Sequence, residues 1–305
     1  MNLTRNKALG LLACVLCFNQ LYGQDLDALL KQEEGKETEY ATATFKGTRL
    51  LNGQSIEAPG KGVLQVMFSH RFGTLEDPLY TFFGLTQASI RFGFDYGISN
   101  KLSVGIGRSS GLGGTTPPPT YDFSAKYRLL TQSSGAVNMP VSVALFGSTA
   151  INTVHWPADG IERSSADRFT YTGQVLVARK FSEAFSLQLM PTYIHRNLTD
   201  AADQSNDLFA LGFGGRIKLS KRATFNFEYY LNRANSLGAG YYDPVAVGFD
   251  IETGGHVFQI MLTNSTGLIE PQFIGQTNTN FWDGAKGIRL GFNFSRVFTV
   301  REVKK

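Results

Sequence analysis

The chain has little cysteine, little tryptophan and no long apolar run. Its two cysteines, Cys14 and Cys17, both lie near the start. No cysteine comes after them, so neither a disulfide framework nor a thiolate metal cluster organises the remaining chain. After that start no segment reaches the ~18 consecutive apolar residues of a membrane-spanning helix. Histidine numbers four in 305 residues, which leaves few general bases or zinc ligands. Lys and Arg total 29 against 25 Asp and Glu, a balance too even for a nucleic-acid face, and no basic helix or zinc pattern adds one.

What is present begins with a targeting segment. Arg5 and Lys7 form a basic start, Ala8–Phe18 is an apolar run, and Leu21-Tyr22-Gly23 ends on a small residue. This pattern predicts a secretory signal over 1–23, removed near Gly23. Leu11-Leu12-Ala13-Cys14 has a lipoprotein-like spacing, but the apolar run continues past Cys14. Residues 24–61 then read as a periplasmic extension. Gln24–Tyr40 is acidic and suits a short helix, and Asn52-Gly53 is a tight-turn signal within ATATFKGTRLLNGQSIE.

The long remainder, 62–298, is organised around strands like Gly287–Phe298. Ile288, Leu290, Phe292 and Phe294 point one way; Arg289, Gly291, Asn293 and Ser295 point the other. Twelve such segments are expected: Gly62–Phe72, Leu85–Ile98, Lys101–Arg108, Thr120–Leu130, Pro140–Ala150, Arg168–Phe181, Ala184–Arg196, Asn206–Leu219, Ala223–Asn232, Pro244–Glu252, His256–Asn264 and Gly287–Phe298. Their connections alternate between short turns and long loops. An even strand count with that alternation is the pattern of a bacterial outer-membrane barrel. The predicted fold is therefore all-β, a transmembrane antiparallel β-barrel of about 12 strands over 62–298, with both ends on the periplasmic side and a tail over 299–305. The stretch with Asn52-Gly53 reads as a hairpin at, or partly inside, the barrel mouth.

The pleat sorts the side chains. The expected lipid-facing set is apolar and aromatic, including Phe92, Phe94, Ile106, Phe123, Phe227, Phe258 and Ile260. Arg108, Arg179 and Arg296 share that parity near strand ends. The expected inward set is polar, with Arg91, Asp95, Lys126, Arg128, Arg216, Glu228 and Arg289 as lumen-lining residues. Basic groups prevail there, which points to a narrow passive path for small polar or anionic solutes. The competing reading fills the lumen with mutually paired charges. In that case residues 25–57 would plug the barrel or hold a periplasmic protein, and the barrel would act as a scaffold.

Other constellations carry less. His70 and His195 have outward parity, with Ser205 and Asp207 near the strand beside His195. A lipid-active enzyme would need a nucleophile and base in reach, and no motif fixes that geometry. The loop with Asp200, Asp203 and Asp207 lacks the EF-hand spacing. SSGLGG at Ser109–Gly114 reads as a loop rather than a phosphate cradle. No metal, cofactor or catalytic residue is expected, and the surrounding partners are outer-membrane lipids. The loops Ile151–Asp167 and Ser265–Lys286 carry Trp156, Phe273, Phe281 and Trp282 as exposed aromatics. Either loop could fold inward or meet a surface partner.

The stretches Phe45-Lys46-Gly47-Thr48-Arg49, Asn52-Gly53 and Ser69-His70-Arg71-Phe72-Gly73, with the final IRLGFNFSRVF, resemble an uncharacterised β-barrel family of Bacteroidota. It is known only as a domain of unknown function. The resemblance spans nearly the whole exported chain. It implies an outer-membrane barrel and supplies no catalytic residues. The usual outer-membrane pattern closes on an aromatic residue, whereas here Thr299–Lys305 extends past Phe298.

Overall fold

The computed structural model describes residues 37–112, 118–156, 158, 160–199, 203–233 and 236–301. The signal segment, the helix expected within Gln24–Tyr40 and the Asp200 carboxylate lie wholly or largely outside the described residues. The chain divides into two units, residues 1–39 with 134–138 and residues 40–133 with 139–305. In the first, Gly135 takes a positive φ and its backbone lies against the Glu37 carbonyl.

The second unit is the barrel. Its strands are β1 Val63–Thr74, β2 Ala88–Gly97, β3 Leu102–Leu112, β4 Thr120–Leu130, β5 Ser142–Asn152 and β6 Phe169–Lys180. They continue as β7 Phe185–Arg196, β8 Asp207–Lys218, β9 Ala223–Asn232, β10 Val245–Thr253, β11 His256–Thr263 and β12 Arg289–Thr299. Each pairs antiparallel with its neighbours, and β12 closes on β1 from Arg289↔Thr74 to Thr299↔Val63. All twelve expected strands are present. β3 runs further than expected, because Ser109–Leu112 continues its ladder against Ala88–Arg91 of β2. Among the described residues two short α-helices lie in the loops, α1 Pro78–Thr81 and α2 Glu270–Gly275.

Period two governs the walls. In β2, Arg91 is buried between exposed Phe92 and half-buried Ile90, and in β11 exposed Phe258, Ile260 and Leu262 alternate with buried Gln259, Met261 and Thr263. The outward aromatics touch along the outer face, Phe258 tilted against Phe294 and Phe92 meeting Phe94 edge-on. Arg108, Arg179 and Arg296 lie over the rings of Tyr121, Phe181 and Phe298. Their charges thus sit on aromatic faces near strand ends rather than bare on the wall.

One inward half departs from the expected polar set. Ala144, Phe146, Leu176, Ala178, Met190, Ile194, Leu208 and Ala210 of β5 to β8 all point inward and are buried in one apolar cluster. They are dry because protein fills the lumen beside them. Ile260 sits mid-strand on the opposite, outer face between Phe249 and Phe292. Ile260→Lys is expected to lower folding stability by about 2–4 kcal/mol, measured by urea titration of the barrel folded in vesicles.

Candidate functional site

Two segments of the chain enter the lumen, one from each end. From the short-turn end, residues 44–56 enter as a tight hairpin. Leu50 N donates to Gly53 O at 2.9 Å, Ser55 N donates to Thr48 O at 2.9 Å, and Arg49 bridges Gln54. The Asn52-Gly53 turn, expected at or partly inside the mouth, is the tip of a hairpin that reaches deep into the barrel. Phe45, Leu50 and Ile56 pack into the apolar cluster, and Leu51 packs on Ala246 and Met261.

The tip is seated by a carboxylate and a guanidinium. Gly53 N donates to both Glu228 oxygens, at 2.9 and 3.1 Å, and Leu51 N donates to the same group at 3.4 Å. Across the lumen, Arg71 Nε and its guanidinium nitrogen donate to Asn52 Oδ1 at 3.1 and 3.0 Å. Arg71 also donates to Asn293 Oδ1, and Asn293 Nδ2 donates to Leu51 O at 2.8 Å. Charge-assisted bonds of this kind, in a dry interior, are the stronger members of their class.

The stem is held by cations on the wall. Lys126 Nζ donates to the carbonyls of Thr48, Ser55 and Glu57, between 2.8 and 3.3 Å. Arg128 reaches Ile56 O and pairs with Glu57 at 3.8 Å. Arg216 donates to Ala43 O at 2.6 Å and to Glu183 O in a short turn. The Glu183 carboxyl there is held below the usual carboxylate range by the hydrogen bond and charge of Lys180. Lys46 of the plug pairs with Glu252 at the same end.

From the long-loop end, residues 264–277 fold inward. All of α2 is buried, and Phe273, expected as an exposed aromatic, has no exposure because its ring packs on Tyr230. Trp282 of the same loop remains exposed. Glu270 of α2 accepts from Arg49 at 3.2 Å and from Gln54 at 3.0 Å. The loop and the plug are therefore tied to each other as well as to the wall. Trp156 of the neighbouring long loop lies under the Arg168 guanidinium at 3.9 Å.

All seven expected lumen-lining residues lie on the barrel wall at inward register. Lys126, Arg128, Arg216 and Glu228 meet the plug. Arg91 pairs instead with Asp122 at 2.6 Å, its guanidinium lying over Gly93 and Gly107. Asp95 borders a small polar gap beside the plug, with Ser103, Ser124 and Lys126. Arg289 is buried near the end where β12 begins. Sequence reasoning missed Arg49, Arg71 and Glu270. Arg71 had inward parity in β1 and was legible. Arg49 and Glu270 lie outside strands, where period two gives no face.

On the outer wall, His195 Nδ1 is 2.7 Å from Asp207 Oδ1, which also accepts from Tyr193 Oη at 2.7 Å. Among the described residues no serine hydroxyl bonds to His195. His70 stacks between Phe68 and Phe292. Among the described residues no cluster of His, Cys, Asp and Glu could hold a metal ion.

The plug has one position where size decides. A Cβ on Gly53 would stand 2.1 Å from Tyr230 Oη and 3.3 Å from Glu228 Oε2. Overpacking of about 1–3 kcal/mol at Gly53→Val should raise the open population about 5- to 150-fold. Tryptic cleavage after Arg49 in the folded barrel, monitored by mass spectrometry, is expected to accelerate by that factor.

The architecture has solved counterparts. The KdgM porin aligns over 77% of this chain and 99% of its own, at 9% identity and a TM-score of 0.50. The NanC porin aligns over 77% and 98%, at 11% identity and a TM-score of 0.47. An outer membrane channel from Pseudomonas putida F1 aligns over 79% and 97%, at 12% identity and a TM-score of 0.45. At 9% identity the likeness to the KdgM porin concerns the fold alone. No curated protein matches the sequence. A family model described as a membrane bound beta barrel domain (DUF5777) matches residues 45–298, and the chain belongs to that family.

Proposed function

We propose that this is an outer-membrane barrel acting as a gated, narrow passive path for small polar or anionic solutes. Residues 44–56 and the loop 264–277 form its closed gate. The observation that carries the reading is the nature of the gate. The plug contributes no strand to the barrel, whose closure by β12 and β1 is complete without it. Its tip and stem are bound to the wall by polar contacts that water can replace. The family match starts at Phe45, so the plug lies within the family's domain.

With the plug displaced, the wall presents Arg71, Lys126, Arg128, Arg216 and Arg289 against Asp95, Glu228 and Asp250, with Arg91 and Asp122 self-paired. That excess favours anions in a narrow path. The Thr172, Ser186 and Thr224 hydroxyls face inward without a protein partner among the described residues. A hydrated lumen would satisfy them.

A second reading has its own observation. Phe45, Leu50 and Ile56 bury apolar surface against β5 to β9. Such burial favours a plug that stays in place, with the barrel as a scaffold. The segment ahead of Thr42 would then be the tether for a periplasmic protein.

Single-channel recording separates the two. The full chain is expected to be quiet, and deletion of residues 42–57 to give steady conductance with anion preference under a salt gradient. A folded deletion barrel that stays silent would overturn the gated path and favour the scaffold. In the conducting deletion barrel, Lys126→Gln, Arg216→Gln and Arg289→Gln together are expected to erase the anion preference, read as a reversal potential moving to zero or beyond.

A further inference from the structure

The outer wall carries a notch that the barrel itself does not require. Gly147 of β5 and Gly173 of β6 stand directly opposite each other and both point outward. Neither has a positive φ. A Cβ on Gly173 would meet nothing within 4 Å, and one on Gly147 only the Thr172 carbonyl at 3.9 Å. Neither backbone strain nor internal packing accounts for glycine at these two places. The result is bare backbone in the middle of a wall otherwise covered by large apolar side chains.

The notch opens into a longer groove. Leu145, Val175, Pro191, Leu211 and Leu231 line it, and Arg233 stands at its far edge. Register gives the geometry. Gly173 faces Tyr193, Tyr193 faces Phe209, and Arg233 N donates to Phe209 O. Arg233 thus lies three strands from the glycine, roughly 14 Å away at ordinary strand spacing. The Tyr193 ring leans onto Phe209, with centroids 5.0 Å apart, and leaves the space over Gly173 open.

Arg233 comes directly after the last residue of β9, at the long-loop end, and is exposed. Among the described residues no side chain pairs with its guanidinium. The described carboxylates nearby each accept hydrogen bonds from other groups. Asp203 accepts from Ala239 N, Asp243 from Asn232 and Tyr229, and Asp207 from Tyr193 and His195. A second outer groove, along Phe92, Phe94 and Ile106, ends at Arg108. There the cation already lies on Tyr121 at 5.3 Å, and Phe92 and Phe94 line the groove with aromatic rings where the first has bare glycine.

An apolar groove on a membrane-facing wall is covered by lipid, and a guanidinium that no side chain pairs with among the described residues, standing at the headgroup end, selects an anionic phosphate. We propose that this notch seats one acyl chain of a phosphorylated glycolipid from the leaflet at the long-loop end, with its phosphate on Arg233. The glycines admit the chain, Leu145, Val175, Leu211 and Leu231 flank it, and Arg233 fixes the headgroup. This site is independent of whether the lumen conducts.

The test uses the full chain in nanodiscs of phosphatidylcholine. Diphosphorylated lipid A, its dephosphorylated form and phosphatidylglycerol are added in turn, and bound lipid is counted by native mass spectrometry. The wild-type barrel is expected to bind phosphorylated lipid A at least ~10-fold more tightly than the other two, the scale of one good charge-assisted contact. Gly173→Leu, which fills open space, and Arg233→Gln should each lose most of that preference. Val104→Leu on another part of the outer wall should keep it. Heat-modifiable gel migration confirms that each variant is folded. Equal binding of the three lipids, a preference for phosphatidylglycerol, or an unchanged preference in both groove variants would overturn the site.

Discussion

Closure of β12 onto β1 is the constraint on which everything else depends. A sheet in hydrocarbon cannot leave a row of unpaired amides and carbonyls, so its edge must find another edge. Here Thr299 reaches back to Val63 and the ladder runs with one irregularity, between Arg289 and Gly291. Closure fixes which side of each strand is lipid and which is lumen. It therefore determines that Ile260 belongs to the membrane and that Gln259, one residue away, reaches Leu50 of the plug at 2.8 Å.

Barrel diameter grows with strand number, and a twelve-stranded barrel lies between the side-chain-filled and the open sizes. The chain fills it with its own N-terminal segment and one long loop. The two inserts meet at Glu270, which holds Arg49 and Gln54. A buried carboxylate is costly unless its partners stay in place. Movement of α2 would therefore strand Arg49, and movement of the plug would strand Glu270. This mutual dependence couples the two ends of the barrel.

The wall was legible in the residues. Thr120–Leu130 and Ala223–Asn232 read from period two coincide with β4 and β9. Outward arginines near strand ends were legible from parity, and the rings beneath them were two residues away or on the next strand. The filled lumen has one sign in the residues themselves. β7, FSLQLMPTYIHR, carries Met190 and Ile194 on its inner face and Leu187, Leu189 and Tyr193 on its outer face. Apolar residues on both faces of a barrel strand mean that both faces are dry.

By itself the sequence determined the barrel, its strand count, its two faces and the tight turn at Asn52-Gly53. These arise from local rules, because period two and turn chemistry act within a few residues. Only the tertiary structure decided where that turn goes. Its contacts join Gly53 to Glu228 across 175 residues and Leu51 to Asn293 across 242. No periodicity spans such distances. The same holds for the bare notch at Gly147 and Gly173, since two glycines become one feature only when register sets them side by side.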